Sequence, residues 1–509
     1  MIRAELIAPI GELIGRQAGA RPGAVAFADK SRAVTYRDLA NRTALLAVYL
    51  EAVGVQPGQS VALFLPHGVA WVEACFAILR AGAVAVPISI DSTNSEIAYR
   101  LADAGCVAAF VVADQGARLI GLMHERDLAT IRLGSLGDDD FNIIASGSSH
   151  RAPRDPTDIE QASFIVYTSG TTGQAKGVLL SLRGMLWVTA ACWAPIAGLS
   201  QDDYVLNPLP LYHSYALNLS VLSVLATGAK EYILERFSVS EIFSLLKAET
   251  FTLLPGVPTM FRFLLDHARS GGERSLGSIR LALSAGAVLG GALNQSFEDW
   301  FGIKLLDGYG ITETSTMVTL NWPTGTRVMG SCGLPVPGLA VRVVNLEDRD
   351  VDIGEEGELI VRGPNAMLGY HRKLVETRAA LRGGWYRTGD LARYDRNGYL
   401  TITGRLKEVI IRGGQNISPA EIEETLSGHP AVADCAVVGM SHEFLGEVPV
   451  AFVVIRAGAK LDPEGLAEHC GTYLSAYKVP EEFRSIPEIP RTGSGKAMRY
   501  KLKQLLSGA

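Results

Sequence analysis

Short apolar runs alternate with helically spaced segments through the first three hundred or so residues, and this limits the fold more than any other feature of the chain. Ser60-Val-Ala-Leu-Phe-Leu reads as a buried strand, Trp71 to Ala81 has helical spacing, and Val84-Ala-Val-Pro returns to strand. Val107-Ala-Ala-Phe-Val-Val-Ala, Phe164-Ile-Val-Tyr and Ile279-Arg-Leu-Ala-Leu-Ser repeat the pattern. Such alternation predicts α/β layers with mostly parallel sheets. Asp138 to Pro156 is polar and punctuated by Ser, Gly and Pro, and reads as a surface loop. Beyond Gly330 the texture changes: Val341-Arg-Val-Val, Gly357-Glu-Leu-Ile-Val-Arg and Gly398-Tyr-Leu-Thr-Ile mix apolar and polar residues as antiparallel strands do. After Gly404-Arg-Leu-Lys407, about a hundred residues carry strand and helix signals of their own, enough for a small α+β unit.

A chain of 509 residues is too long for one compact core. The expected division is a large domain over 1–404, of parallel αβ layers plus a small β-barrel-like part, a hinge at 405–407, and a small mobile α+β domain over 408–509. Apolar residues make up 48% of the chain, which excludes wholesale disorder, and a formal net charge of −6 argues against a nucleic-acid binder. The six cysteines lie far apart without a C-x-x-C pair, so neither a zinc site nor a disulfide framework is supported. No segment reads as a targeting signal, and Val61 to Ile88 is interrupted by His67, Glu73 and Arg80, too many polar groups for a membrane span. The expectation is a soluble, cytoplasmic protein.

Chemistry concentrates in Tyr167-Thr-Ser-Gly-Thr-Thr-Gly-Gln-Ala-Lys-Gly177, directly after the strand Phe164–Val166. Gly170, Gly173 and Gly177 allow close backbone approach, while Thr168, Ser169, Thr171 and Thr172 add hydroxyl donors beside Lys176. Backbone N–H groups, hydroxyls and one ammonium make a polyphosphate cradle. The Walker A spacing fails, because Ala175 precedes Lys176 and Gly177 follows it. The bland alternative is a Gly/Ser/Thr-rich turn.

This loop resembles the signature of the adenylate-forming superfamily: acyl- and aryl-CoA synthetases, peptide-synthetase adenylation domains and beetle luciferases. Pro208-Leu-Pro-Leu-Tyr-His-Ser, Leu283-Ser-Ala-Gly-Ala, Gly308-Tyr-Gly-Ile-Thr-Glu313, Gly357-Glu-Leu-Ile-Val-Arg-Gly-Pro, Tyr386-Arg-Thr-Gly-Asp390, Gly404-Arg-Leu-Lys407 and Pro490-Arg-Thr-Gly-Ser-Gly-Lys496 follow in that superfamily's order. The resemblance implies ATP, Mg²⁺ and a thiol acceptor, either coenzyme A or a carrier-protein phosphopantetheine. Glu313 is similar to the magnesium ligand, Thr312 would contact the α-phosphate, and Gly286, Asp307, Gly308 and Tyr309 would border the nucleotide. Asp390 looks like the ribose anchor, since one carboxylate accepts from both vicinal hydroxyls, and Arg405 would add a second contact. Lys496 would reach the reacting carboxylate and α-phosphate, where a cation offsets the approach of two anions. Each has an ordinary reading beside it: Thr-Glu as a helix start, Gly-Asp as a turn, and the basic run from Arg491 to Lys503 as a solvated helix face.

Lys407 stands at the superfamily's hinge position, and the same resemblance makes Gly413 and Gly414 the thiol-facing pair after domain rotation. The bland reading of those glycines is a turn between strand and helix. Amino-acid-activating relatives carry an acidic residue in the stretch that here reads Tyr212-His-Ser-Tyr-Ala-Leu-Asn218. No acid stands there, and a buried ammonium without a partner is costly, so amino acids are disfavoured. The stretch is similar to that of 4-coumarate–CoA ligases. His213 would flank the carboxylate, while Tyr215 reaches a ring or is plain core. Ser284, Gly286 and Gly310 complete the expected acid pocket. The predicted activity is ATP-dependent ligation of a non-amino aryl or short-to-medium acyl acid to CoA. A carrier-protein-loading enzyme, a luciferase-like oxygenase and a catalytically silent binding protein are the rivals.

Overall fold

The computed structural model describes residues 1–122, 128–134, 137, 140–149, 151–168, 175–492 and 496–506. A nine-stranded sheet runs in the order Leu334–Pro335, Thr319–Leu320, Lys304–Tyr309, Leu281–Ser284, Leu253–Gly256, Tyr204–Asn207, Lys230–Ile233, Val25–Ala28, Ala33–Thr35. The six strands from Lys304–Tyr309 to Val25–Ala28 are parallel, and the pairings beyond them at either end are antiparallel. A seven-stranded sheet runs Gly369–Tyr370, Lys176–Ser181, Ala162–Thr168, Val84–Pro87, Ser60–Phe64, Ala108–Val112, Ala129–Leu133, parallel from Ala162–Thr168 onward.

The strands are near-continuous apolar runs because both faces of each sheet are covered. Val205, Leu281 and Leu283 face a large cluster shared by both sheets, together with the helices Tyr36–Ala52, Val69–Arg80 and Leu182–Val188. Leu206, Leu254, Ala282 and Leu305 point the other way, onto the helices Val239–Ala248, Pro258–Gly271 and Gly291–Phe301. In the second sheet Ala62, Phe64, Val86 and Val111 pack against Asn94–Ala104. The helix Val69–Arg80 is buried along its whole length, so its charges must be paired. Arg42 meets Glu73 at 2.6 Å with Arg32 on the same carboxylate, and Arg80 meets Asp155 at 2.8 Å.

One expectation fails here. Asp138 to Pro156 is not simply a loop: Phe141–Ser146 is helical, started by Asp140, whose carboxylate accepts from the amides of Asn142 and Ile143. Phe141 is fully buried edge-on to Phe110 at 5.8 Å, and Arg151 and Arg154 reach the buried Glu51. A single aromatic anchor and a cap suffice for so short a helix, and neither stands out in a polar stretch.

Past residue 330 the sheets turn mainly antiparallel, as the mixed patterning predicts, with Glu482–Ser485 joining Gly446–Ile455 in parallel. Ala340–Val344, Gly357–Arg362, Trp385–Tyr394, Leu381–Arg382 and Leu400–Arg405 form one five-stranded sheet around Val343, Leu359 and Val361. Gln415–Ile417, Ile410–Arg412, Gly446–Ile455, Val432–His442 and Glu482–Ser485 form another, covered by Pro419–Ser427, Pro463–Tyr473 and Arg499–Leu506. Its two apolar clusters draw only on residues from Ile410 onward. All six cysteines are buried, and burial raises each thiol above its usual range. Among the described residues no helix is long and apolar enough to cross a membrane.

Candidate active site

Side chains just beyond the carboxyl ends of four parallel strands converge on one cavity of about 80 Å³. Leu209 and Pro210 follow the strand Tyr204–Asn207, Val257 follows Leu253–Gly256, Ala285 and Gly286 follow Leu281–Ser284, and Gly310 to Thr312 follow Lys304–Tyr309. That end of a parallel sheet is where open α/β folds bind ligands. The run His213 to Ala216, Thr316, Met317 and, from the far end of the chain, Lys496 complete the lining. Gly310 permits the closure: a Cβ there would sit 1.3 Å from the Thr316 carbonyl oxygen, so no other residue fits. Gly286 holds φ at 90°, a conformation open to glycine.

The polar groups at the rim are coupled. The Tyr309 hydroxyl donates to Asp390 Oδ2 at 2.5 Å, Arg405 Nε lies 2.8 Å from Asp390 Oδ1, and the Asp390 amide donates to Thr388 Oγ1 at 3.0 Å. Thr312 and Ser214 share a hydroxyl–hydroxyl bond of 3.2 Å. Tyr370 donates to Glu313 Oε1 at 3.1 Å while its ring takes the Lys176 ammonium at 5.0 Å. Protein packed around Glu313 raises its pKa above the usual carboxylate value. Lys496 is lowered by desolvation and then by Arg405, although Asp390 and Glu313 oppose the shift. His213 falls to about 3, by burial first and then by Lys496, which leaves it a neutral imidazole whose Nε2 has no partner among the described residues.

Comparison with known proteins bears on what this cavity does. The AMP-binding enzyme family matches residues 14–371, and the C-terminal domain family of AMP-binding enzymes matches residues 421–496. The chain belongs to the AMP-binding enzyme family. A feruloyl-CoA synthase from Amycolatopsis is 33% identical over 96% of this chain and 97% of its own. A long-chain-fatty-acid–CoA ligase from Yersinia pestis is likewise 33% identical, over 94% of this chain and 91% of its own. A benzoate CoA ligase from Burkholderia xenovorans LB400 superimposes with a TM-score of 0.89 at 26% identity, covering 97% of this chain and 99% of that one. This AMP-binding enzyme is an AMP-forming acid–thiol ligase, of the class that works on small carboxylic acids with ATP, Mg²⁺ and CoA.

Within the AMP-binding enzyme, the motifs read from sequence divide into four groups. His213, Tyr215, Gly286, Gly310, Thr312 and Lys496 line the cavity, with Tyr309, Glu313, Asp390 and Arg405 bonded at its rim. Ser284 and Asp307 pair across neighbouring strands behind the wall without lining it, and burial holds Asp307 well above its usual pKa. Gly308 lies in the same strand. Gly413 and Gly414 sit at the tip of the hairpin joining Ile410–Arg412 to Gln415–Ile417, outside the cavity, and Lys407 stands in an exposed turn. Of the phosphate cradle, Thr168 and Lys176 are described, pairing across adjacent strands; Ser169, Gly170, Thr171, Thr172 and Gly173 lie outside the described residues.

Sequence reasoning missed what stands behind the pocket of the AMP-binding enzyme. The Tyr215 ring stacks on Trp193 at 5.9 Å, and its hydroxyl donates to the Leu283 carbonyl at 3.1 Å. Trp193 Nε1 donates to Asn218 Oδ1 at 2.7 Å, and Asn218 Nδ2 donates to the Met185 carbonyl at 2.8 Å. Trp193 and Asn218 both sit in wide-wound helical turns, Thr189–Trp193 and Leu217–Ser223. Neither helical turn was read from the sequence, where Asn218 figures only as the end of the stretch from Tyr212.

Proposed function

We propose that the chain ligates a small non-amino carboxylic acid, aryl or short-to-medium acyl, to CoA by way of an acyl-adenylate. One observation carries the acid class: none of the described residues lining the cavity is acidic. An α-ammonium placed there would lose its water and gain no counter-charge. Leu209, Tyr215, Val257 and Met317 offer apolar contact, and Trp193 stacks on the Tyr215 ring. The similarity to a feruloyl-CoA synthase and a benzoate CoA ligase supports the aryl reading; that to a long-chain ligase supports the acyl one.

In this reading Lys496 holds the acid carboxylate against the α-phosphate, beside neutral His213, and Thr312 donates to that phosphate. Asp390 accepts the ribose hydroxyls while Arg405 and Tyr309 hold its carboxylate in place. Lys176 and Thr168, with the rest of the loop 169–173, cradle the distal phosphates. Glu313 would hold Mg²⁺, and the donor set fits: a single carboxylate linked through Tyr370 to Lys176 of that loop, whose pKa burial raises and which gains from an adjacent cation. Mg²⁺ prefers one or two carboxylates with phosphate oxygens making up the rest, and when bound it neutralises phosphate charge. We divide the chain into 1–404, a hinge at 405–407 and 408–509. Rotation about Lys407 withdraws Lys496 and brings Gly413 and Gly414 to the thiol. A Cβ at Gly414 would meet nothing within 4 Å, so its backbone is open to a passing chain. The place of action is the cytoplasm, where ATP and reduced CoA are at hand.

The test is a panel of benzoate, 4-coumarate, hexanoate, octanoate and phenylalanine, assayed for AMP release with CoA, with a holo-carrier protein, and with neither. Graded turnover of several non-amino acids with CoA is expected, since a hydrophobic pocket separates one methylene by only about 1–3 kcal/mol. Phenylalanine as the best substrate would overturn the pocket argument. Turnover with the carrier protein alone would overturn the acceptor.

A further inference from the structure

The turn that follows Glu313 is strained. Ser315 has φ 51° and Thr316 φ 110°, and neither is glycine. A β-branched residue at positive φ persists only where its surroundings hold it there. On one side of the turn lies the segment 363–370, which leaves the strand Gly357–Arg362 and ends at Gly369–Tyr370. Its backbone amide at Met367 donates to the Glu313 carbonyl at 2.8 Å, and Tyr370 donates to the Glu313 carboxylate. Two residues before Met367 stands Asn365, fully buried, whose Nδ2 donates to the Thr314 carbonyl at 2.8 Å and to the Met317 carbonyl at 2.9 Å. Those two carbonyls bracket Ser315 and Thr316. On the opposite side Asn218 Nδ2 reaches the Ser315 carbonyl at 3.3 Å, and Thr316 Oγ1 donates to the Ser214 carbonyl at 2.8 Å.

We propose that Asn365 is a positioning residue for adenylation: its amide spans Thr314 and Met317 and locks the strained Ser315–Thr316 turn, fixing Glu313 on one side and the acid-pocket wall of Thr316 and Met317 on the other. The inference rests on the functional reading given above. It follows from geometry that one amide governs two binding events. Glu313 and Thr316 are three residues apart, so a turn that relaxes to negative φ displaces the metal-holding carboxylate and the pocket wall together. A buried amide with a merely structural role would leave both events alone.

The experiment uses the full chain and the fastest acid of the panel. Asn365→Asp keeps the shape, but a buried acid offers at most one donor for the two carbonyls. Expected are a rise of at least fivefold in the Mg²⁺ concentration for half-maximal pyrophosphate exchange, a similar rise in the acid KM, and faster hydrogen exchange over residues 314–318. Adding Ser315→Gly, which removes the strain at φ 51°, should recover at least threefold of the lost exchange rate. Native Mg²⁺ and acid dependence in a folded Asn365→Asp protein overturns the proposal, as does the absence of any recovery by Ser315→Gly. If Asn365→Asp does not fold, Asn365→Ser, with its single donor, carries the same measurements. Glu313→Gln separates the two readings: unchanged Mg²⁺ dependence in that variant refutes the role given to Glu313, and the positioning role of Asn365 then stands or falls on the acid KM.

Discussion

Replacing Asp390 by Asn tests the nucleotide end of the site with almost no change of shape. Asp390 is 2% exposed, and its two oxygens already take Tyr309 at 2.5 Å and Arg405 at 2.8 Å. A carboxylate has about four acceptor positions, so two remain for a pair of vicinal hydroxyls. A hydrogen bond to a charged group is worth about 1.5–3 kcal/mol and a neutral one about 0.5–1.5, so neutralising the acceptor costs about 1 kcal/mol per bond. Arg405 is 38% exposed, so solvent screening keeps its share near the low end. Stability should therefore fall by about 2 kcal/mol from the Tyr309 and Arg405 bonds together. The asparagine amide can accept ribose hydroxyls only at its single oxygen, so ATP binding should weaken by about 1–2 kcal/mol, roughly five- to thirtyfold. Calorimetric titration with ATP and with 2′-deoxy-ATP gives the decisive comparison. The native protein should prefer ATP, and Asn at position 390 should largely erase that preference. A folded variant that binds ATP within twofold of native and discriminates as before would refute the ribose assignment.

Three further outcomes follow from the same geometry. Lys407→Pro fixes φ and removes a donor in the exposed turn, so adenylation and thioester formation, timed separately, should slow unequally; equal slowing in a folded protein counts against a hinge there. Tyr215→Phe should cost about 0.5–1.5 kcal/mol in chemical denaturation, because the hydroxyl bonds the Leu283 carbonyl, and should shift selectivity no more for ring-hydroxylated acids than for alkyl ones. His213 at about 3 and His67 at about 4 lie below the usual histidine value, so between roughly pH 6.5 and those values the unfolded chain binds more protons than the folded one. Their contribution to stability falls on acidification from pH 6.5, opposite in sign to that of the raised carboxyls of Asp307 and Glu313, so His67→Gln should make the change in urea midpoint from pH 7 to pH 5 less unfavourable than in the native protein, and an unaltered change would contradict it.

How far the sequence carried the reading depended on the kind of signal. Apolar runs forecast strands because both faces of each parallel sheet are covered, while the loops after Asn207, Ser284 and Tyr309 became site candidates through their resemblance to superfamily motifs; the loop after Gly256, which also lines the cavity, carried no such signal. Gly310 was named from sequence only as part of the acid pocket; that its lack of a Cβ serves a close approach to the Thr316 carbonyl shows only in the fold. Asp390 and Tyr309 were each legible by motif, yet their bond spans 81 positions, and no local pattern encodes it. Asn365 and Trp193 were invisible for a related reason, and Asn218, though it closes a stretch quoted from sequence, gave no sign of what it bonds. They act through backbone carbonyls or through one another, and residues of those types in those settings look like ordinary turn or core members. The helix Phe141–Ser146 was lost because one buried ring outweighs a polar neighbourhood.

The buried cysteines bear on how such a catalyst lives with its own chemistry. It handles a free thiol as co-substrate and releases a thioester, two species that exchange readily with any exposed thiolate. Cys75, Cys106, Cys192, Cys332, Cys435 and Cys470 are all shut away, and desolvation keeps each in its protonated, unreactive form. The folded protein therefore presents, through these six side chains, nothing that its product can acylate or that oxidised CoA can trap as a mixed disulfide. Self-modification becomes a property of the unfolded chain alone, so uptake of acyl groups or CoA onto protein sulfur would report loss of fold rather than turnover.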